Sequence, residues 1–295
     1  MTDRATDPPP VRRPATVRPR ERGPQVTLEP GLAPTEAELE AIERHLADLA
    51  LFGGAFARND PSLGARMISL PGRGPGLNFA SSVRWAPAEV PSRLARLEEM
   101  MRSAGEWPSL VVAEDLTQPP DLAERLAAVG WVEIEHERVM WTRRPPLVPH
   151  LDPWLRVEAV TPRTAATQQG IEQDAFGLPD ARSAERAERL AAAIASGVLR
   201  GFLVLVHGTP VASARMSKGD GVAALSGISV TTSHRRKGYG TLVTAIATRA
   251  GLATGHRLVW LSVDEANAAA VSLYRSLGYE PSFRWAHWVV SAAGS

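Results

Sequence analysis

Val230-Thr-Thr-Ser-His-Arg-Arg-Lys-Gly-Tyr-Gly-Thr241 carries a β-branched run through a basic, glycine-containing turn and into a helix. Upstream, residues 222–230 alternate as a strand does; downstream, Leu242, Ala245, Ile246 and Ala250 recur at helical spacing, so the turn opens at a helix N-terminus. The amides of a first helical turn lack intrahelical acceptors and sit at the positive end of the macrodipole, which favours anions. Gly238 and Gly240 keep side chains away from the backbone, and Arg235, Arg236 and Lys237 surround the turn with positive charge. A ligand carrying a pyrophosphate is expected there.

Three phosphate-binding patterns compete for this stretch. A P-loop needs Gly, four residues, then Gly-Lys-Ser/Thr, whereas Lys237 precedes Gly238. The dinucleotide fingerprint is met in part: Gly238-Tyr-Gly-Thr-Leu-Val243 supplies two glycines and Asp264 ends the next strand. Its third glycine is Val243, however, and Gly238 lies well beyond Val230 instead of directly after the strand. The third pattern is Arg-x-x-Gly-x-Gly, supplied by Arg235 to Gly240; alone it is also compatible with a basic helix-start loop that binds nothing. A second segment adds weight. After an apolar run over 258–263 come Asp264-Glu-Ala-Asn267 and Ala270-Val-Ser-Leu-Tyr-Arg-Ser-Leu-Gly-Tyr279, with the spacing Asn-x6-Tyr-x3-Gly-Tyr.

Together these segments resemble the GNAT superfamily of acyl-CoA-dependent N-acyltransferases. The resemblance covers about half of the chain, residues 154–290, and is strongest over 226–288. It implies an α/β fold with a mixed, mostly antiparallel sheet flanked by helices, whose central strands splay apart to admit acyl-CoA. By resemblance, backbone groups of Ile228 and Val230 pair with the pantetheine arm, and the segment Arg235, Arg236, Lys237, Gly238, Tyr239, Gly240, Thr241 holds the pyrophosphate. Asn267 is expected to cap its helix, and the resemblance adds a contact to the CoA arm. Thr232 stands where the family often has proline, and Arg236 where glycine is common; backbone donors tolerate both departures.

The reaction implied is transfer of an acetyl group from acetyl-CoA to a primary amine by direct attack, with no metal. The departing thiolate is the first proton problem, and Tyr274 matches the family's usual tyrosine general acid. The other proton belongs to the amine, which at a pKa near ~10.4 is protonated at neutral pH. Residues 222–230 contain no carboxylate to remove it; Glu172, Asp174, Asp220 and Asp264 are candidates elsewhere, each also readable as a solvated charge, and His234 sits in the cradle loop. No base is assigned from the sequence. A non-catalytic acyl-CoA-binding regulator or scaffold is the alternative from a different class.

Length and composition bound the rest. The chain has 295 residues, 44% of them apolar, enough for a substantial core in one large or two ordinary domains. Zero cysteines exclude disulfides, thiolate nucleophiles and Cys-based zinc sites, and the seven histidines lack metal-ligand spacing. The net charge of +1 gives no reason to expect nucleic acid, and no apolar run reaches the ~18 residues of a membrane span. A cytoplasmic location is the default expectation. The eight tryptophans fall mostly in expected strands and read as core.

Residues 1–30 are rich in proline and arginine and are expected to be disordered. At Thr35-Glu-Ala-Glu38 a capping box precedes Leu39, Ile42, Leu46 and Leu49 at helical spacing, so a folded unit starts there. Strands are expected over 77–85, 109–113 and 131–141, helices over 91–102 and 120–129, and a linker over 145–153. Beyond it come a strand at 155–160, helices over 163–176 and 181–195, and a hairpin of 202–206 with 211–216. Setting Gly130 on Gly278 aligns Trp131 with Tyr279, the helix 121–129 with 269–277, Leu126 with Tyr274 and Pro119 with Asn267. The chain is therefore expected to be tandem: residues 31–144 form a degenerate GNAT-like domain without a cofactor motif, and residues 154–295 form the catalytic domain.

Overall fold

The computed structural model describes residues 33–148 and 151–291. The proline-rich tail 1–30 lies outside the described residues; the described parts of the expected linker, 145–148 and 151–153, contain no helix or strand. The first element is the helix α1 (Glu36–Asp48), started by the expected box: Glu38 N–H donates to Thr35 Oγ1 (3.3 Å) and Thr35 N–H to Glu38 Oε2 (2.9 Å). A 3₁₀ turn (Leu49–Gly53) leads into strands β1 (Phe56–Asp60), β2 (Ala65–Ser69) and β3 (Phe79–Ser81), helix α2 (Val90–Ser103), strand β4 (Ser109–Ala113), helix α3 (Leu122–Ala128) and strand β5 (Trp131–Thr142). The second half runs β6 (Leu155–Ala159), α4 (Ala165–Phe176), α5 (Ser183–Ala195), β7 (Leu199–Val206), β8 (Thr209–Lys218), β9 (Val222–Val230), α6 (Tyr239–Ala253), β10 (Leu258–Val263), α7 (Ala268–Ser276) and β11 (Glu280–Val290).

All eleven strands join one sheet, in the order β1-β2-β3-β4-β11-β5-β10-β9-β8-β7-β6. The pairs β3/β4 and β9/β10 are parallel and the rest antiparallel. The two halves exchange their closing strands. β5 ends the first half yet pairs with β10 of the second (Val259 with Thr142 through Val263 with Arg138), and β11 ends the second half yet pairs with β4 of the first (Trp285 with Ala113 through Val289 with Ser109). The aligned elements α3-β5 and α7-β11 thus occupy equivalent places about the middle of the sheet. Because β5 and β11 also pair with each other, the hydrogen-bonded sheet runs continuously across the junction, and the apolar cluster under α1 draws residues from both halves.

On one face, α1 covers Val139 and Trp141 of β5, Val222 and Ala224 of β9, and Leu258 and Trp260 of β10. On the other, α6 and α7 cover Met140, Ala223, Leu225, Val259, Leu261 and Val263. The alternation along each strand assigns these faces, as the period of two requires.

Two expectations for the first half need correction. The strand expected over 77–85 is a 3₁₀ turn at Pro75–Leu77 followed by only three residues of strand. The buried Asn78 explains the late start: its amide donates to Leu70 O (2.9 Å) and Arg73 O (2.7 Å) and its carbonyl accepts from Leu70 N–H (2.8 Å), tying down the glycine-rich turn ahead of it, while Ser82 ends the strand by taking the left-handed conformation (φ +52°). The β1/β2 hairpin has no counterpart in the sequence reading, since the edge strand β1 is largely exposed and carries Arg58, Asn59 and Asp60 where alternation would otherwise mark a strand.

Candidate active site

Strands β9 and β10 pair over three positions only, Leu258 with Val222, Val259 with Ala223 and Trp260 with Ala224. Beyond these β9 follows β8 to Val230 and β10 follows β5 to Val263, so the two parallel strands diverge into a wedge. A bulge drives the divergence. The β8/β9 register slips between Ser213 and Arg215, opposite Ser229 and Ser226, and Gly227 within the slip has φ +57°. A Cβ at Gly227 would lie 2.6 Å from Arg215 Nε and 2.9 Å from Glu172 Oε1, so both the backbone angle and the packing demand glycine. Ile228 and Val230 lie on the part of β9 that runs past the last β10 partner.

At the mouth of the wedge the chain turns through a short 3₁₀ segment (Thr232–His234) into α6. Arg236 (φ +60°) and Gly238 (φ +84°) both take the left-handed conformation, which explains why a glycine suits position 236 and why Arg236 is held there at some cost. Gly238 is the N-cap and offers no side chain to the first-turn amides of α6. Gly240 lets the helix start approach Leu273 and Val230: a Cβ there would meet them at 3.3 and 3.5 Å. Tyr239 is buried in the core with its phenol pushed upward chiefly by burial, so only its backbone belongs to the turn; Thr241 is partly exposed beside it. Arg235 reaches back to Ala175 O (2.6 Å) and Lys237 to Ser233 O (3.0 Å), which leaves both cationic heads around the turn.

Tyr274 lies on the helix after β10, buried against Tyr279 at 6.0 Å between ring centroids. Burial, with the charge of Glu137 acting in the same direction, pushes its hydroxyl up to about 12. That group keeps its proton throughout the neutral range and is available as a donor. Asn267 accepts from Ala270 N–H (3.2 Å) and caps α7. Tyr279, from the same motif, is structural, since its hydroxyl meets Thr248 Oγ1 at 2.7 Å in the core.

The carboxylates that the sequence offered separate clearly. Asp174 accepts from Thr232 N–H (2.6 Å) and shapes the cradle loop; Asp264 accepts from Ala266 N–H (2.8 Å) in a turn; Asp220 is exposed opposite Arg44. His234 is engaged by Thr231 and Ser233, each at 2.9 Å, and burial together with the charge of Lys237 lowers its basicity. Glu172 is the exception. It is buried beside the bulge, ion-paired with Arg215 (3.2 Å), and burial raises it above the ordinary carboxylate range despite that arginine.

The sequence reading missed a second carboxylate, Glu137 on β5. It is hydrogen-bonded by Ser262 Oγ of β10, and burial raises its pKa, with the charges of Glu135 and Asp264 adding to the shift. Its position follows from the exchange, which makes β5 the neighbour of β10. The available signal was the alternation Glu133, Glu135, Glu137 in a run expected to be a strand, where glutamate is depleted unless it faces something specific. Ser226 and Ser262, two residues beyond the last paired positions Ala224 and Trp260, lie on the α1 face at the two lips of the wedge. Glu172 therefore flanks the wedge from the β9 side and Glu137 from the β10 side.

In the first half, the equivalent of Tyr274 is Leu126, wholly buried and without a hydroxyl. The helix after β3, α2, has Glu89 and not a glycine at its cap. That half has neither a glycine at the corresponding helix cap nor a tyrosine at the position of Tyr274.

Comparisons with known proteins agree with this geometry. A model of the acetyltransferase (GNAT) family matches residues 169–279. An uncharacterized N-acetyltransferase of Bacillus subtilis (strain 168), YobR, is 42% identical over 62 residues, which span 21% of this chain and a quarter (25%) of that protein's length. Among solved structures, a GCN5-related N-acetyltransferase from Kribbella flavida superposes with a TM-score of 0.65 at 23% identity, covering 85% of this chain and 96% of the other. A tandem GNAT protein from the clavulanic acid biosynthesis pathway superposes with a TM-score of 0.60 at 22% identity, covering 78% and 79%. The splayed strand pair, the glycine turn at the start of α6 and the Asn-x6-Tyr helix all fall inside the matched segment, so residues 169–279 match the acetyltransferase (GNAT) family, and the chain as a whole shares the fold of the tandem GNAT protein.

Proposed function

We propose that this chain transfers an acetyl group from acetyl-CoA to a primary amine, with residues 154–295 as the catalytic domain and residues 31–144 as a degenerate partner that completes the site. The observation that carries this reading is the parting of β9 from β10 directly ahead of the glycine turn that opens α6. An extended pantetheine arm fits along the freed edge of β9 at Ile228 and Val230, and the turn from Arg235 to Thr241, with Gly238 as the cap, suits the pyrophosphate. When bound, acetyl-CoA supplies the activated acyl group. Glu137, raised by burial and free of any arginine or lysine partner among the described residues, takes the proton of the incoming amine; Glu172, tied to Arg215, is the weaker base. Tyr274 holds its hydroxyl proton toward the departing sulfur.

Titration calorimetry with acetyl-CoA, with NADH as control, tests the wedge, and release of the CoA thiol in the presence of amines tests turnover. Binding of NADH without acetyl-CoA would overturn the reading. The absence of a carboxylate on β9 itself favours a second reading, an acyl-CoA-binding regulator without turnover. Tight acetyl-CoA binding with no thiol release for any amine would select it.

A further inference from the structure

Two cavities open on the α1 face, one at each lip of the wedge. The first, about 430 Å³, lies between α4, α5, the 3₁₀ turn after α1 and the loop at Arg73, and includes Ser226. The second, about 320 Å³, lies between α1 and strands β3, β4, β5, β10 and β11, and includes Ser262. Leu49 and Leu77 line both, so the two adjoin along one wall supplied by the first half of the chain.

Their charges are opposite. Five arginines and two glutamates line the first cavity, a surplus of three positive charges. Arg73 and Arg189 converge on Glu185 (2.5 and 2.6 Å) and Arg215 faces Glu172; Arg182 and Arg186 form no carboxylate ion pair among the described residues, although Arg186 acts on Glu172 at longer range and donates to Pro179 O (2.7 Å). Three glutamates and no arginine or lysine line the second cavity; Glu43 is engaged by Arg84 (2.6 Å), leaving Glu135 and Glu137.

A second observation marks the first cavity as built for a polar ligand. Gln169 Nε2, Glu172 Oε1, Arg186 Nε and Arg215 Nε are shielded from solvent without a hydrogen-bond partner in the protein, and all four residues line it. Gln169 and Glu172 are themselves only 3% and 4% exposed. Buried polar atoms are rarely left unpaired, and four on one wall indicate a ligand bearing complementary groups.

We propose that the acceptor is a small amine that also carries an anionic group, bound across both halves with its amine toward Glu135 and Glu137 and its anion toward Arg182 and Arg186. This rests on the acetyl-transfer reading above. An arginine fork binds carboxylate and phosphate through the same paired donors, so either anion satisfies the site.

The test uses matched probes with the full chain and acetyl-CoA: L-lysine against cadaverine, L-ornithine against putrescine, and O-phosphoethanolamine against ethanolamine, read by thiol release. The expected result is a kcat/KM at least about tenfold higher for the anionic member of a pair, since charge-assisted bonds are worth ~1.5–3 kcal/mol. Preference for the amino acids or for the phosphate ester identifies the anion. Arg186→Gln and Arg182→Gln should each raise KM for the anionic probe several-fold, with kcat and acetyl-CoA affinity unchanged; Arg182 is exposed, so its replacement spares the fold. Equal or better turnover of the cationic members overturns the proposal. So does failure of every anionic probe either to react or to bind the CoA-loaded protein in calorimetry below about 10 mM, a ~3 kcal/mol interaction. Loss of acetyl-CoA binding itself would instead sink the acetyl-transfer reading.

Discussion

Replacing Tyr274 with Phe removes one hydroxyl and leaves the ring in its slot against Tyr279, and that hydroxyl bonds to no other described residue. Folding stability should therefore change by less than about 1 kcal/mol. The catalytic cost is larger. With its pKa at about 12, the phenol is ionised at neutral pH to only about 1 part in 10⁵. It is nonetheless a weaker acid than a thiol, whose pKa is near ~8.5, so complete transfer to the thiolate would be uphill by roughly 5 kcal/mol. The phenol thus stabilises the departing sulfur through a hydrogen bond to a charged atom, worth ~1.5–3 kcal/mol, or about 10- to 150-fold in rate. The assay is thiol release at saturating amine beside calorimetric titration of acetyl-CoA. The expected outcome is that drop in kcat with affinity within about twofold. Unaltered turnover with a large loss of affinity would show that Tyr274 anchors the CoA arm and donates to no leaving group.

Three further outcomes are expected. Glu137→Gln should lower kcat/KM by about 10²-fold and abolish the acidic limb of its pH profile. It should also lower the pKa of Tyr274, because the Glu137 charge raises it; an acidic limb that persists at the wild-type rate would eliminate Glu137 as the base. Gly238→Glu places a carboxylate in the cradle and forces a side chain onto φ +84°, a strain of ~1–2 kcal/mol, so acetyl-CoA affinity in calorimetry should fall at least tenfold; unchanged affinity would count against the cradle. His45 and His287 are buried and held at about 4 by desolvation against an ordinary 6.5, so the unfolded chain binds more protons between those values. Their stabilising effect is complete above pH 6.5 and falls away toward pH 4. At pH 5 each should cost about 2 kcal/mol relative to pH 7.5, and equal denaturant stability at the two pH values would contradict it.

What could be read in advance was local. The capping box at Thr35, the strand-turn-helix from Val222 into α6, the helix α7 with Asn267 at its cap, and the alignment of α3-β5 with α7-β11 rest on periodicity, caps and short spacings, which a linear chain displays directly. The motif containing Tyr274 belonged to this class because Asn267, Tyr274, Gly278 and Tyr279 occupy one helix and its exit turn. The shortened β3 escaped because Asn78 exerts its effect through bonds to a loop that is recognised only once folded. The edge strand β1 escaped because its residues mostly face water and so lack the alternation that burial imposes, and β2 because the buried Met67 and Ile68 are adjacent and break the alternation.

The sequence by itself determined that a phosphate-suited turn opens a helix after a buried strand, that a tyrosine follows on the next helix, and that a similar but stripped arrangement precedes both. Tertiary structure alone decided that the halves trade closing strands. That exchange makes β5 the neighbour of β10, brings Glu137 to the wedge opposite Glu172, and sets an acidic and a basic cavity side by side. Strand pairing joins residues more than a hundred positions apart, and the choice among partners is made by which pairing buries the most apolar surface in the whole molecule, a quantity no local stretch contains.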